Sequence, residues 1–186
     1  ASTTSSSDEF SGPSNALFSG GDDVSGGSFN LVDGHYVGTA SSGDTLVSLA
    51  NIDGETKLAP TGLIDLSAKL NTTGRAGLVF DQYSDTDYKW VAIDVQTKQI
   101  LIGHREGGRW VIDASVSNAA LQAGKDYTLG ITAHGSTVSV TLDGQAVVGF
   151  VYNAVTVDGR FGVFVQGGAV AIDSMTIKTG GLATKS

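Results

Sequence analysis

The 186-residue chain contains no cysteine, two prolines and one methionine, and of its 19 acidic residues only Glu9, Glu55 and Glu106 are glutamate. Without cysteine there is no disulfide framework, no thiolate nucleophile and no Cys-ligated zinc. The straight-chain residues that favour helices (Glu, Lys, Arg, Gln, Met) are scarce, which argues against a helical fold. Basic residues are scarce too: 11 Lys+Arg against 19 Asp+Glu give a formal charge of -8. Phosphate backbones and anionic membrane surfaces are bound by clustered Lys and Arg, so neither nucleic acid nor a membrane surface is an expected partner. Membrane insertion is not expected either. The longest strongly apolar stretch, residues 146–152, is far short of the roughly 20 residues that span a bilayer. No charged start followed by an apolar stretch is present at the N-terminus, so any export signal is expected to have been removed or to lie on a larger precursor.

What is abundant is glycine, at 26 residues, and aspartate, which makes up all the remaining acidic positions. Both populate turns: Asp bonds its own backbone, and Gly supplies positive φ. The hydrophobic content of 40% is enough for a packed core, and the length suits one domain. Ser/Thr-rich residues 1–7 and residues 179–186 read as linkers, leaving 8–178 as the domain, expected to be part of a larger multidomain protein.

Within that domain apolar residues recur at every second position. Ile64, Leu66, Ala68 and Leu70 alternate with Asp65, Ser67 and Lys69. Ala76, Leu78 and Phe80 follow suit, as do Tyr127, Leu129, Ile131 and Ala133, and then Val138, Val140 and Leu142. Alternation at this period is the mark of a half-buried strand. The pairs Asp33-Gly34, Asp53-Gly54, Asp143-Gly144 and Asp158-Gly159 punctuate the pattern. Asp143-Gly144, set between two strand patterns, predicts a hairpin with a type I′ turn, and His134-Gly135-Ser136 predicts another turn. About a dozen short strands at this spacing, with one helical turn near 117–121, predict an all-β antiparallel sandwich of two sheets.

The segment Phe29-Asn30-Leu31-Val32-Asp33-Gly34-His35-Tyr36 resembles the opening strands of concanavalin A-like, laminin-G-like jelly rolls. The likeness continues through Arg75-Ala76-Gly77-Leu78-Val79-Phe80-Asp81, Asp87-Tyr88-Lys89-Trp90-Val91-Ala92-Ile93-Asp94 and Gly107-Gly108-Arg109-Trp110. It closes with Gly159-Arg160-Phe161-Gly162-Val163 and Ile172-Asp173-Ser174-Met175-Thr176-Ile177. It implies two curved sheets that bind a glycan or polysaccharide on a concave face or rim, often with calcium, in an extracellular or cell-surface setting. Members of the superfamily serve as non-catalytic modules of secreted carbohydrate enzymes or as domains of bacterial surface adhesins. A lectin-like binding module is therefore the expected function, and a structural or protein-binding domain of an adhesin is the alternative.

Catalysis is not expected. The Glu-x-Asp-x-(x)-Glu arrangement of glucanases is absent, since the three glutamates lie far apart in sequence. Asp81, Asp85, Asp87 and Asp94 form the densest acidic group, and Asp85 and Asp87 read as turn residues. The histidines His35, His104 and His134 show no short metal-ligand spacing.

In residues 87–95, Val91, Ile93 and Val95 mark a core face, while Tyr88, Trp90 and Asp94 lie on the other. If that second face is wet, Trp90 and Tyr88 form a platform on which sugar rings stack, with Asp81, Asp94 and Lys69 as its polar rim. The competing reading for Trp90 is packing under a loop. Trp110 and Tyr127 read as core, and His104 and Arg105 as further rim positions. In jelly rolls of this kind the first and last strands pair, which would bring Asp8 or Glu9 to Asp173 as part of a calcium ligand set. Capping of strand-end amides is the competing reading for those carboxylates.

Overall fold

The computed structural model describes residues 3–8, 27–32, 35–49, 62–84, 86–107, 109–153 and 160–181. They form twelve strands: β1 (Thr3–Asp8), β2 (Gly27–Val32), β3 (His35–Leu49), β4 (Gly62–Thr72), β5 (Arg75–Ser84), β6 (Asp87–Asp94), β7 (Gln99–Glu106), β8 (Arg109–Ser117), β9 (Tyr127–His134), β10 (Thr137–Leu142), β11 (Gln145–Val151) and β12 (Arg160–Gly181). All pairings are antiparallel. The region near 117–121 is a turn closed by the Asn118 carboxamide on the amide of Ala120.

The expected two-layer sandwich is present, and β12 belongs to both layers. Its first half pairs with β5 and with the end of β3, extending one layer through β6 and β7 to β8. Its second half pairs with β4 and the start of β3, extending the other layer through β9 and β10 to β11. The crossing falls at Gly167 and Gly168, whose φ values of 60° and 141° belong to glycine. A Cβ on the neighbouring Gly74 would lie 2.2 Å from the Gly167 carbonyl oxygen, so the chains touch here because neither carries a side chain.

Alternation fills the space between the layers. Leu66, Leu129 and Val140 from one meet Leu78, Val91 and Ile102 from the other in a single buried cluster. As expected, β1 and β12 pair, with Asp8 opposite Met175. Strand pairing extends into both stretches read as linkers: Thr3–Ser7 lie in β1, and β12 runs to Gly181. Backbone hydrogen bonding builds this pair from a Ser/Thr stretch with no apolar alternation to announce it.

The larger correction concerns the outer face of the β5–β6–β7 layer, which is also buried. Tyr88, Trp90, Ala92, Val79, Leu101 and Phe164 form a second apolar cluster there, with Trp110 packed against it. Trp90 is 0% exposed and Tyr88 1%. The platform expected of these two rings is therefore absent, because they pack against each other's neighbours in place of solvent. Trp110, expected in the main core, lies 5.1 Å from Trp90 between ring centroids, and its strand-mate Ile112 is exposed.

Candidate functional site

Residues of the expected site fall into three places. Lys69 and Asp173 sit on the β4–β12 layer, away from Trp90. Lys69 Nζ is 3.8 Å, and His35 Nε2 3.5 Å, from the Asp173 carboxylate. Asp173 is thus an exposed carboxylate with an imidazole and an ammonium beside it. Glu9 lies outside the described residues, and of Asp8 only the backbone is described.

Asp94 lines an open depression of about 590 Å³ beside Gly167 and Gly168. It is buried rather than wet. Its Oδ1 accepts the amides of Gln96 and Thr97, and its Oδ2 accepts Arg75 Nε at 3.1 Å. Burial alone would raise its pKa; the Thr97 amide, the Arg75 guanidinium and the Gln96 amide outweigh that and hold it below the ordinary carboxylate value. With Arg75 also 5.8 Å above the Trp90 ring, this carboxylate is already committed to structure.

The remaining expected residues, Asp81, His104, Arg105 and Tyr88, converge with three that the sequence reading missed. Lys89, Asp113 and Tyr152 complete a cluster around a cavity of about 440 Å³ where the ends of β6, β7 and β8 approach β11. Strand register explains the convergence: Lys89 stands opposite His104, and Asp87 opposite Glu106. Asp81 reaches the cluster because a bulge after Phe80 shifts the register and holds Asp81 at a φ of 53°.

The hydrogen bonds are specific. Lys89 Nζ lies 2.5 Å from Asp81 Oδ2 and 5.0 Å from the centre of the Tyr152 ring. Asp113 Oδ2 is 2.8 Å from His104 Nδ1 and 2.8 Å from the Tyr152 hydroxyl. Burial, reinforced by the charges of Asp113 and Asp81, raises the Tyr152 phenol well above its ordinary pKa, so it is the donor to Asp113. His104 Nδ1 shares this carboxylate, so when the ring carries a single proton that proton sits on Nδ1 and Nε2 is left to accept. The Asp113 side chain is only 9% exposed, and its Oδ1 takes no hydrogen bond among the described residues. Tyr152 and Phe150, with ring centroids 4.8 Å apart, give the cavity an aromatic wall. Arg105 lies over the Tyr88 and Trp110 rings at its edge.

The signal that could have found the missing residues is parity. Lys89 shares the core face of β6 with Val91 and Ile93, where a charged residue needs a partner. Tyr152 follows β11 beyond its last strand residue, and its destination depends on tertiary packing.

No protein-family model matches the sequence, and no curated protein matches it. Solved structures do resemble it in fold. The carbohydrate binding module CBM66 from Bacillus subtilis superposes with a TM-score of 0.69 at 16% identity, over 84% of this chain and 93% of that one. The carbohydrate recognition domain of Emp47p gives 0.66 at 13% identity, over 96% and 95%. A β-glucanase from Bacillus licheniformis gives 0.62 at 11% identity, over 93% and 97%. The chain is thus an all-β jelly roll in fold. That architecture carries both binding and catalytic proteins, so function has to be argued from the site.

Proposed function

We propose that the protein is a carbohydrate-binding module whose ligand enters the cavity bounded by Lys89, His104, Asp113 and Tyr152. The observation that carries this reading is the joining of an aromatic wall to convergent hydrogen-bonding groups in one concave site. Sugar rings present C–H faces that pack on aromatic rings and hydroxyls that need fixed donors and acceptors. Here Asp113 Oδ1 and His104 Nε2 accept, and the Lys89 ammonium donates. The rings of Tyr152 and Phe150 supply the apolar contact. Fold neighbours described as a carbohydrate binding module and a carbohydrate recognition domain agree with it.

Of the inner carboxylates, Asp81 is held by Lys89, and Asp113 through Oδ2 by His104 and Tyr152. A glycosidase needs one carboxyl to deliver a proton and another to attack or to activate water, so release of reducing sugar from a bound glycan would overturn the binding-only reading.

Glycan-array screening followed by calorimetry tests the reading. His104→Ala and Asp113→Asn should each weaken binding at least about tenfold, the loss of one good hydrogen bond to a charged or buried group. Lys69→Ala, on the other layer, should bind as the parent does. Pocket variants that remain folded and bind normally would remove the site.

A further inference from the structure

The mouth of this cavity carries two opposed carboxylates. Asp87 and Glu106 stand directly opposite each other on β6 and β7, on the side of the layer that faces the cavity. Opposed residues on paired strands bring their Cβ atoms to about 5 Å, and like charges so placed repel. No cation lies within ion-pairing distance of either carboxylate among the described residues. Arg109 stands opposite Glu106 on β8 without an ion pair to it, and Lys89, on the same face of β6 as Asp87, is committed to Asp81. Deeper in, Asp113, its side chain 9% exposed and held through Oδ2, keeps Oδ1 without a hydrogen bond among the described residues and lines the same cavity. Arg105 supplies one positive charge at the edge, over Tyr88 and Trp110, against the three carboxylates Asp87, Glu106 and Asp113.

We infer that the cavity prefers a glycan bearing a protonated amine, an amino sugar that is not N-acetylated, over neutral or uronic sugars. The inference rests on the carbohydrate-binding reading and sharpens it. An ammonium placed between Asp87 and Glu106 relieves their repulsion, with the sugar's hydroxyls left to Asp113 Oδ1 and the His104 ring. A uronate would add a fourth negative charge, and an N-acetyl group would remove the positive one while adding bulk. Because Asp87 and Glu106 are exposed, the preference should fade as salt rises and screens them.

Calorimetry with a glucosamine tetrasaccharide and its fully N-acetylated counterpart, at about pH 6 and low salt, tests this. The free-amine oligomer should bind about tenfold more tightly, and the Asp87→Asn/Glu106→Gln double variant should lose that margin while remaining folded. Equal binding of the two oligomers, tighter binding of the acetylated one, or an unchanged margin in the double variant overturns the inference. Binding of some other glycan through His104 and Asp113, with neither oligomer bound, also overturns it but leaves the carbohydrate reading intact. Absence of binding to every class of glycan overturns both.

Discussion

Trp90 owes its position to a residue with no side chain. Gly103 faces it across the β6–β7 pair, and a Cβ there would lie 2.5 Å from Trp90 Cζ2 and 2.1 Å from the Val111 carbonyl oxygen. The vacant volume lets the indole lie across β7, where it meets Trp110 and, at 6.0 Å between centroids, Phe164. Its Nε1 is buried with no hydrogen-bond partner among the described residues. An unsatisfied buried donor costs about 1–3 kcal/mol, a penalty smaller than what a fully buried indole contributes by packing and desolvation. Trp90 is accordingly a stability residue. Trp90→Ala should cost about 3–5 kcal/mol in urea denaturation, the range for deleting a large buried ring. Trp90→Phe should cost less, because it sacrifices no hydrogen bond. A Trp90→Ala protein with parental stability would show that the cluster contributes little.

At the scale of elements, the β10–β11 hairpin is where local sequence and structure agree most closely. Asp143 and Gly144 both have positive φ, 50° and 86°, which is the backbone of a type I′ turn. Asp143 does more than turn the chain: its Oδ1 accepts the Thr128 amide at 2.9 Å, tying the hairpin to β9. Asp143→Ala loses that bond and puts alanine in the left-handed region, at a cost of about 1–3 kcal/mol. Asp143→Asn keeps an acceptor and tolerates the same φ, so its melting temperature should stay near the parent's. Equal melting of the alanine variant would mean that the turn is held by its strands alone. Period-two alternation made β4, β9 and β10 legible in the same way, since each has one face in the core. For β6 it misled. Asp94 at the strand's end suggested that its whole face was wet, yet that charge is absorbed by Arg75 and two turn amides, and the residues before it are buried. A central strand covered on both faces offers no polar side for alternation to reveal. The cavity was only half legible for a related reason. Asp81, His104 and Arg105 could be picked out as polar strand ends, whereas Asp113 and Tyr152 join them through pairings and packing that no local pattern encodes.

The whole molecule is organised around its last strand. β12 pairs with β1, β3, β4 and β5, so both layers lack a neighbour until residues 160–181 arrive. Such long-range pairing has to overcome loop-closure entropy before it gains contacts, and folds dominated by it assemble in milliseconds to seconds or slower. It also couples the layers. Both tryptophans lie on the β5–β8 layer, so their fluorescence reports that layer alone, whereas far-ultraviolet circular dichroism reports strands of both. If β12 ties the two together, the signals should trace one urea transition with a common midpoint, and refolding should show no separate early phase of tryptophan burial. Distinct midpoints would mean that each layer is stable without the other. In that case the cavity, whose walls come from β6, β7 and β8 on one side and the end of β11 on the other, could open without global unfolding. A single transition instead makes the site as stable as the fold, and ligand at 100 times its Kd should then raise the stability of both probes by about 2.7 kcal/mol.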